Sequence, residues 1–420
     1  MSNLYKQKQY SVLYKNRVNR VPKTIINLYN DKNIQVDSLE SITLDGNINI
    51  DANGTNRRNG NLILKLDSTL LPKPENKIWF NKCIGIDIQL LDYNGITVPY
   101  NMGRFMIDEP TYNKNSNARN VQIMLKDYMS MWDGTFGGNL SHEKLITPQS
   151  VSVEQAIISI VQRLSKYSVD GMNIDGSKLL VPKEIRRSPN ATIYEALKEL
   201  VELYMGYEMF FDTNGYFRVQ KIKDKRFNPI TWDFSQDNMD LVIDNVNSFK
   251  FSNVRNSIWV WGRKKDDGTQ VKWVYRNRWT RQYYSDLNSL TDKQKGDICH
   301  IEENNNSYMW DGSSWKLLDF KVVSMFNIEN IGEKVFAYND DNIFTEQQAM
   351  LRAEFELQQQ SNFAEEITIN CVPIYLLDGN SKIRIADKDT GIEGDYLIKN
   401  ISLPLNFEGN MTIKCNKIYY

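Results

Sequence analysis

Histidine is almost missing from this chain of 420 residues: His142 and His300 are the only two, and neither has a spacing that builds a metal site or a nucleophile–base pair. Cysteine is scarce too. Cys83, Cys299, Cys371 and Cys415 are scattered without paired spacing, which argues against a disulfide framework and fits folding in a reducing cytosol. Cys299 and His300 are adjacent, and neighbours on a strand point to opposite faces, so they do not start a zinc site. Net charge is also lacking, because 51 Lys and Arg meet 52 Asp and Glu for a formal charge of −1. No global basic field gathers nucleic acid or anionic lipid, and sequence-specific nucleic-acid binding is not expected. There is no apolar run long enough to cross a bilayer and no continuous apolar leader at the N-terminus, so neither membrane insertion nor secretion is implied. A Gly-rich phosphate loop, a Gly-x-Ser-x-Gly elbow and a His-Glu-x-x-His helix are all absent. No catalytic, cofactor-binding or metal-ligating residue is assigned, and no cofactor is expected. Paired carboxylates able to cleave glycosidic bonds stay open, since their requirement is a separation in space.

What the chain does have is material for cores. With 41% hydrophobic and 11% aromatic residues, its length allows two to four packed domains. The segment Ala191 to Gln220 is the most explicit. Thr192 followed by Glu195 is a capping box. Ile193, Ala196, Leu197, Leu200, Val201 and Tyr204 make one apolar stripe at helical spacing. Gly206 stands where a left-handed cap is wanted. The aromatic run Tyr207 to Phe211, the Asp212-Thr-Asn-Gly215 turn and the alternating Tyr216 to Gln220 then predict a hairpin.

Before that segment, strands are predicted over Ser41 to Ile50, Gly60 to Leu66, Cys83 to Leu91, Gly103 to Ile107 and Asn120 to Leu125, separated by Gly, Asn, Asp and Pro turns. Such spacing predicts an antiparallel barrel or sandwich. Residues 1 to 23 carry Lys6, Lys8, Lys15, Arg17, Arg20 and Lys23 and no acid, reading either as a solvated arm or as a contact for an acidic neighbouring subunit. Helical periodicity takes over near Thr147, with Ser152 and Gln155 as a second capping box. Strands return at Asn245, where Trp259 and Trp261 share one face by alternation. A third helix is capped by Thr345 and Gln348, and strands follow over Glu366 to Val372, Lys382 to Ile385, Asp395 to Ile401 and Asn410 to Cys415.

Two smaller features leave alternatives open. Residues 296 to 320 form a two-hairpin element whose aromatics Tyr308, Trp310 and Trp315 either pack on themselves or offer a platform to a sugar or partner. Asp387-Lys-Asp-Thr-Gly391 reads as a hairpin turn or as a cation loop, although it lacks the EF-hand ligand pattern. No fixed internal repeat of about 20 to 50 residues is visible elsewhere.

Several of these segments, in order, resemble the tail hub or baseplate hub proteins of tailed bacteriophages and phage-tail-like contractile particles. They are the opening hairpin with Asn56-Arg57-Arg58 before a strand, the Gly103-Arg-Phe-Met-Ile107 strand, the Lys126-Asp127-Tyr-Met-Ser-Met-Trp-Asp-Gly134 turn, the Tyr-Met-Gly-Tyr-Glu step into Phe-Phe-Asp-x-Asn-Gly-x-Phe, the Asn256-Ser-Ile-Trp-Val-Trp-Gly262 strand and Tyr396 to Leu405 with Met411-Thr-Ile. The resemblance implies an α+β, mainly β chain in which two tube-like antiparallel β-barrel domains flank a small helix-containing domain. The expected segments are 1–140 with the basic arm, 141–240 with two helices and a hairpin, and 241–420 with an inserted element near 290–320 and a helix near 345–361.

It further implies a structural virion protein without enzymatic activity. Three copies with two barrels each would adapt a six-fold tail tube to a three-fold tail tip and form part of the channel for DNA or effector. The implied partners are other copies of the chain, the tail tube protein, a spike, tip or fibre protein, baseplate wedge proteins and the tape measure protein. The location is the virion tail or baseplate, after synthesis in the host bacterial cytoplasm. Infectious phages and phage-tail-like bacteriocins both fit. Arg57 and Arg58 are candidate subunit-interface residues. The rival expectation is a tail-tip protein that binds carbohydrate or degrades cell wall.

Overall fold

The computed structural model describes residues 22–40, 42–80, 82–91, 97–114, 119–140, 145–165, 171–176, 178–222, 228–360, 365–406 and 409–419. His142 and the basic residues of the arm up to Arg20 lie outside the described residues. The chain divides into two compact units, the first made of residues 1–246 with 368–415 and the second of 247–367 with 416–420.

The first unit opens with β1 (Lys23–Asn30), β2 (Gln35–Glu40), β3 (Thr43–Asp51), β4 (Arg58–Lys65), β5 (Lys82–Leu91), β6 (Thr97–Lys114) and β7 (Arg119–Asp127). The five predicted strands correspond to β3 to β7. Two more, β1 and β2, lie next to the segment that reads as a basic arm; β1 buries Thr24 to Tyr29 continuously, so it lacks the alternation that marks a half-exposed strand. The chain then passes through β8 (Leu145–Thr147), α1 (Val153–Ile160), β9 (Met172–Ile174), β10 (Ile185–Arg187), α2 (Ile193–Glu202), β11 (Tyr207–Phe211), β12 (Phe217–Lys221), β13 (Ile230–Ser235) and β14 (Val242–Phe249).

The capped helix and hairpin form as the sequence specifies. Thr192 Oγ1 accepts the Glu195 N–H at 3.1 Å while the Glu195 carboxylate accepts the Thr192 N–H at 2.8 Å. Past α2, Met205 and Gly206 both take left-handed backbone, with φ of 50° and 79°. β11 and β12 pair antiparallel from Tyr207 opposite Lys221 to Phe211 opposite Phe217. The second capping box is different. Ser152 precedes α1 but makes no side-chain cap bond; the start of the helix is tied to a neighbouring segment, with the Val153 N–H donating to Leu179 O at 3.0 Å. Beneath these elements runs one apolar core that joins Tyr128, Met129 and Trp132 to the buried faces of α1, α2 and the β11–β12 hairpin.

The second unit carries β15 (Ser257–Lys264), β16 (Gln270–Arg281), β17 (Asp297–Ile301), β18 (Asn306–Trp310), β19 (Trp315–Leu317), α3 (Ile328–Ile331), β20 (Val335–Asn339) and α4 (Glu346–Gln360). Its sheet has the order β19-β18-β17-β16-β15-β20, and α4 packs on β15 and β16. Thr345 and Gln348 cap α4 reciprocally, with Gln348 N–H donating to Thr345 Oγ1 at 3.1 Å and Thr345 N–H to Gln348 Oε1 at 3.2 Å. Trp259 and Trp261 do share a face, with ring centroids 6.1 Å apart.

The chain ends with β21 (Glu365–Cys371), β22 (Lys382–Asp387), β23 (Ile392–Pro404) and β24 (Met411–Lys417). These strands return to the large sheet of the first unit, whose order is β14-β21-β24-β23-β3-β4-β7-β6-β5-β1-β2, with β22 joining β23 to β13. This order contains a duplication. The series β3-β4-β7-β6-β5-β1 is matched, strand for strand and in chain order, by β14-β21-β24-β23-β22-β13.

The pairing keeps the match at residue level: Gly103 of β6 lies opposite Ile86 of β5, and Gly394 of β23 lies opposite Ile385 of β22. Both glycines have positive φ, 136° and 148°, a region that favours glycine. Two residues on from each, Phe105 and Tyr396 are fully buried. One difference is that β1 runs antiparallel to β5 whereas β13 runs parallel to β22. The sequence shows no fixed period because β8 to β12 separate the two series and β15 to α4 are inserted inside the second.

Candidate functional site

Arg57 stands just before β4 and Arg58 opens it, and both are buried: they are 5% and 2% exposed. Arg57 Nη2 donates to Glu208 Oε2 at 2.7 Å, and the guanidinium lies 3.8 Å from the ring centroid of Phe210. Arg58 Nη1 donates to Phe211 O at 3.3 Å and Nη2 to Asp378 Oδ2. The basic pair thus ties β4 to the β11–β12 hairpin and to the turn before β22, all within one chain. Neither Glu208 nor Asp378 is marked as a partner by local sequence, because each is distant along the chain.

Asp127 stands behind this pair, where β7 ends. Its Oδ2 accepts the Arg58 N–H at 3.0 Å and its Oδ1 accepts the Met129 N–H at 2.9 Å, which caps the turn that positions Trp132. Burial pushes its carboxyl up to about 6, against the lowering effect of those N–H donors and of the Arg58 charge. The folded value lies above the unfolded one, so the folded chain keeps a proton that the unfolded chain releases. The associated stability is full below about pH 4 and is lost as the pH rises through about 6, amounting to about 3 kcal/mol. Asp127→Asn is expected to shrink the difference between urea midpoints measured at about pH 4 and about pH 7. An unchanged difference would place the pH response on another group. Lys399, half-buried in this region, has its ammonium pulled down chiefly by desolvation.

The aromatic element of the second unit holds Tyr308 and Trp310 on β18 and Trp315 on β19. Trp310 meets Trp315 edge-to-face at 5.6 Å, Trp315 meets Trp279 at 6.3 Å, and Tyr308 meets Tyr284 at 4.9 Å. Tyr308 and Trp315 pack on a small core of Trp279, Leu287, Leu290, Cys299 and Ile301. All three are half-buried. The structure therefore brings these residues together with their rings engaged by one another, a geometry unlike the open flat face that stacks on a sugar.

A cleft of about 730 Å³ in the first unit is lined by Glu154, Asp175, Phe210, Asp212, Arg218 and Gln220. Of its three acids, Asp212 is held by the hairpin turn. One oxygen accepts the Asn214 and Tyr216 N–H groups, each at 2.9 Å, and the other accepts Arg218 Nε at 2.7 Å. Asp387 is committed in the same way, accepting the Asp389 N–H at 3.0 Å and the Thr390 hydroxyl at 2.7 Å in the turn between β22 and β23. Buried His300 has its ring within 3.2 Å of Ser307 Oγ, and desolvation lowers its affinity for a proton. Among the described residues no group of three or more His, Cys, Asp and Glu is placed to hold a metal ion, and no helix is long and apolar enough to cross a membrane.

The fold itself is the broadest feature available for recognition, and it is that of phage tail proteins. A tail protein from Neisseria meningitidis superposes with a TM-score of 0.56 at 10% identity, covering 94% of this chain and 96% of that one. The 43 kDa tail protein of prophage MuSo2 from Shewanella oneidensis gives 0.56 at 11% identity, covering 94% and 98%. The PdpA–VgrG complex of Francisella gives 0.51 at 12% identity, covering 99% of this chain and 61% of that one. A domain of unknown function, DUF5048, matches residues 322–420. No curated protein matches. The mainly β architecture with large antiparallel sheets expected from the sequence is thus present, on a fold shared with tail proteins.

Proposed function

We propose that this chain is a structural, non-enzymatic subunit of a phage tail or tail-like baseplate, a hub that assembles as a trimer. The observation that carries the reading is the repeated six-strand series within one chain, joined internally where β23 pairs β3. Three chains with two such series each present six near-equivalent β modules, which is what a six-fold tube needs from a three-fold object. In this reading the segment 1–140 supplies the first module and 241–420 most of the second, while 141–240 contributes the helices and hairpin between them, and each module closes as a tube-like barrel.

The wider expectations come from the resemblance to tail hub proteins. The ring surrounds part of a channel for DNA or effector, its six-fold side meets the tail tube protein, and its three-fold side meets a spike, tip or fibre protein. Wedge and tape measure proteins are further neighbours in the tail. The likeness to tail proteins supports this location. The mutual packing of Tyr308, Trp310 and Trp315 weighs against the carbohydrate-binding alternative.

Native mass spectrometry of the purified chain, with imaging of the assembly, tests the proposal. Three copies with three-fold symmetry are expected. A monomer, or a ring of any other number, overturns it.

A further inference from the structure

The junction inside the chain shows how one module receives the next. β23 has two halves. Its first, up to Leu397, pairs with β22, and its second, Asn400 to Pro404, pairs antiparallel with β3. The junction is tight: Ile48 of β3 is fully buried, Leu403 opposite it is 2% exposed, and Leu405 N–H donates to Gly46 O at 2.9 Å. Asn406 Nδ2 adds a bond to Asp45 Oδ1 at 2.6 Å.

The equivalent edge of the first module is open. β6 corresponds to β23, and only its first half, as far as Met106, pairs with β5. The second half, through Lys114, pairs with β7 on one side, and among the described residues no strand pairs with the other. At the far end of the sheet path, β14 corresponds to β3 and has β21 on one side and, among the described residues, no further strand. Its sequence repeats the β3 pattern, Asn245-Val246-Asn247 against Asn47-Ile48-Asn49. Yet Val246 is 64% exposed and Ile243 51%, where Ile48 is fully buried. An edge strand with exposed aliphatics is a template for pairing with another chain. The strand at the other end of the path, β2, is instead guarded by Asp37, ion-paired to Lys77, and Glu40, ion-paired to Lys23.

From these edges we propose that β14 of one copy pairs antiparallel with the second half of β6 of the next copy, reproducing between chains the β3–β23 junction seen within one. This rests on the trimeric reading above and names its interface. Aligning Gly103 with Gly394 and the two Asn-x-Asn triplets fixes the register: Tyr112 lies opposite Val246 and Asn113 opposite Asn245. Each chain then offers one β14 edge and one β6 edge, two different surfaces, as a closing head-to-tail ring requires.

The test uses the full chain with Asn113→Cys and Asn245→Cys together, treated with a short bismaleimide and run under denaturing conditions. A covalent ladder that stops at three chains is expected, with no cross-link from either single variant. Pairing Asn113→Cys with Glu40→Cys probes the β2 edge and is expected to give none. Val246→Asp, at a position exposed in the single chain, is expected to abolish the trimer in native mass spectrometry while the urea midpoint of the separated chain is retained. If the chain is a trimer but the 113–245 cross-link is absent, or Val246→Asp leaves the trimer intact, the β14–β6 interface is overturned and the hub reading stands. If the unsubstituted chain is a monomer, both are overturned.

Discussion

Trp132→Ala is expected to unfold the first unit at markedly lower urea concentration. The indole is 1% exposed, sits at the end of the turn that follows β7, and meets Phe211 and Phe217 at 4.9 Å each. Its neighbours cannot close the gap, since they belong to different elements: β11 and β12 supply the phenylalanines, and α2 is anchored by the Tyr194 N–H bonding Trp132 O at 3.0 Å. Removing a buried tryptophan costs about 3–5 kcal/mol through lost transfer energy and the cavity left behind, with about 0.5–1.5 kcal/mol per aromatic pair contributing to that loss. Trp132→Phe keeps part of the ring contact and is expected to lose much less. Equal midpoints for the alanine variant and the parent would show that the helical segment and hairpin are held elsewhere.

Asp297→Ala is expected to damage the second unit by a similar amount. This carboxylate is fully buried at the start of β17, where it accepts Arg276 Nε at 2.5 Å, Arg278 Nη1 at 2.7 Å and the Gln294 N–H at 2.8 Å. It fastens β16 to β17 beside their parallel pairing, in which Arg276 lies opposite Asp297. Deleting one partner of a buried ion pair leaves the other charge uncompensated, at a cost of about 3–5 kcal/mol. Hydrogen exchange should accelerate in β16 and β17, while amides of the sheet containing β3 to β7 keep their protection. Asp297→Asn retains shape and one acceptor, so its loss should be smaller. Protection unchanged in β16 and β17 of the alanine variant would overturn this assignment.

The sequence made the local devices readable and the long-range ones obscure. A capping box at Thr192 and Glu195 or at Thr345 and Gln348 lies within four residues, and both form. The β11–β12 hairpin is dictated by the turn between its strands. Strand partners are another matter. Nothing in β23 announces that half of it pairs with β22 and half with β3, because that choice depends on the whole sheet. The duplicated series hides for the same reason. Its members share a glycine before a buried aromatic at Gly103 and Gly394, but unequal intervening segments remove any period that a scan of the sequence would detect.

Arg57 and Arg58 teach a related lesson. A basic doublet before a strand suggests an exposed contact, yet here both side chains are buried and bonded within the chain. The signal that survives is indirect: the strand's own alternation continues back through Arg58, which takes an inward position in line with Gly60, Leu62 and Leu64. The exposed aliphatics of β14 carry no such mark in the sequence, where Val246 and Ile48 look alike.

All four thiols lie in the interior, unbridged. Burial raises Cys83 to about 11 and Cys299 to about 12, so at neutral pH both stay in the protonated, poorly nucleophilic form. A molecule that folds inside a cell and afterwards meets dissolved oxygen would keep these four thiols out of its reach, so that mixing with a thiol reagent before and after air exposure should label the folded chain equally little.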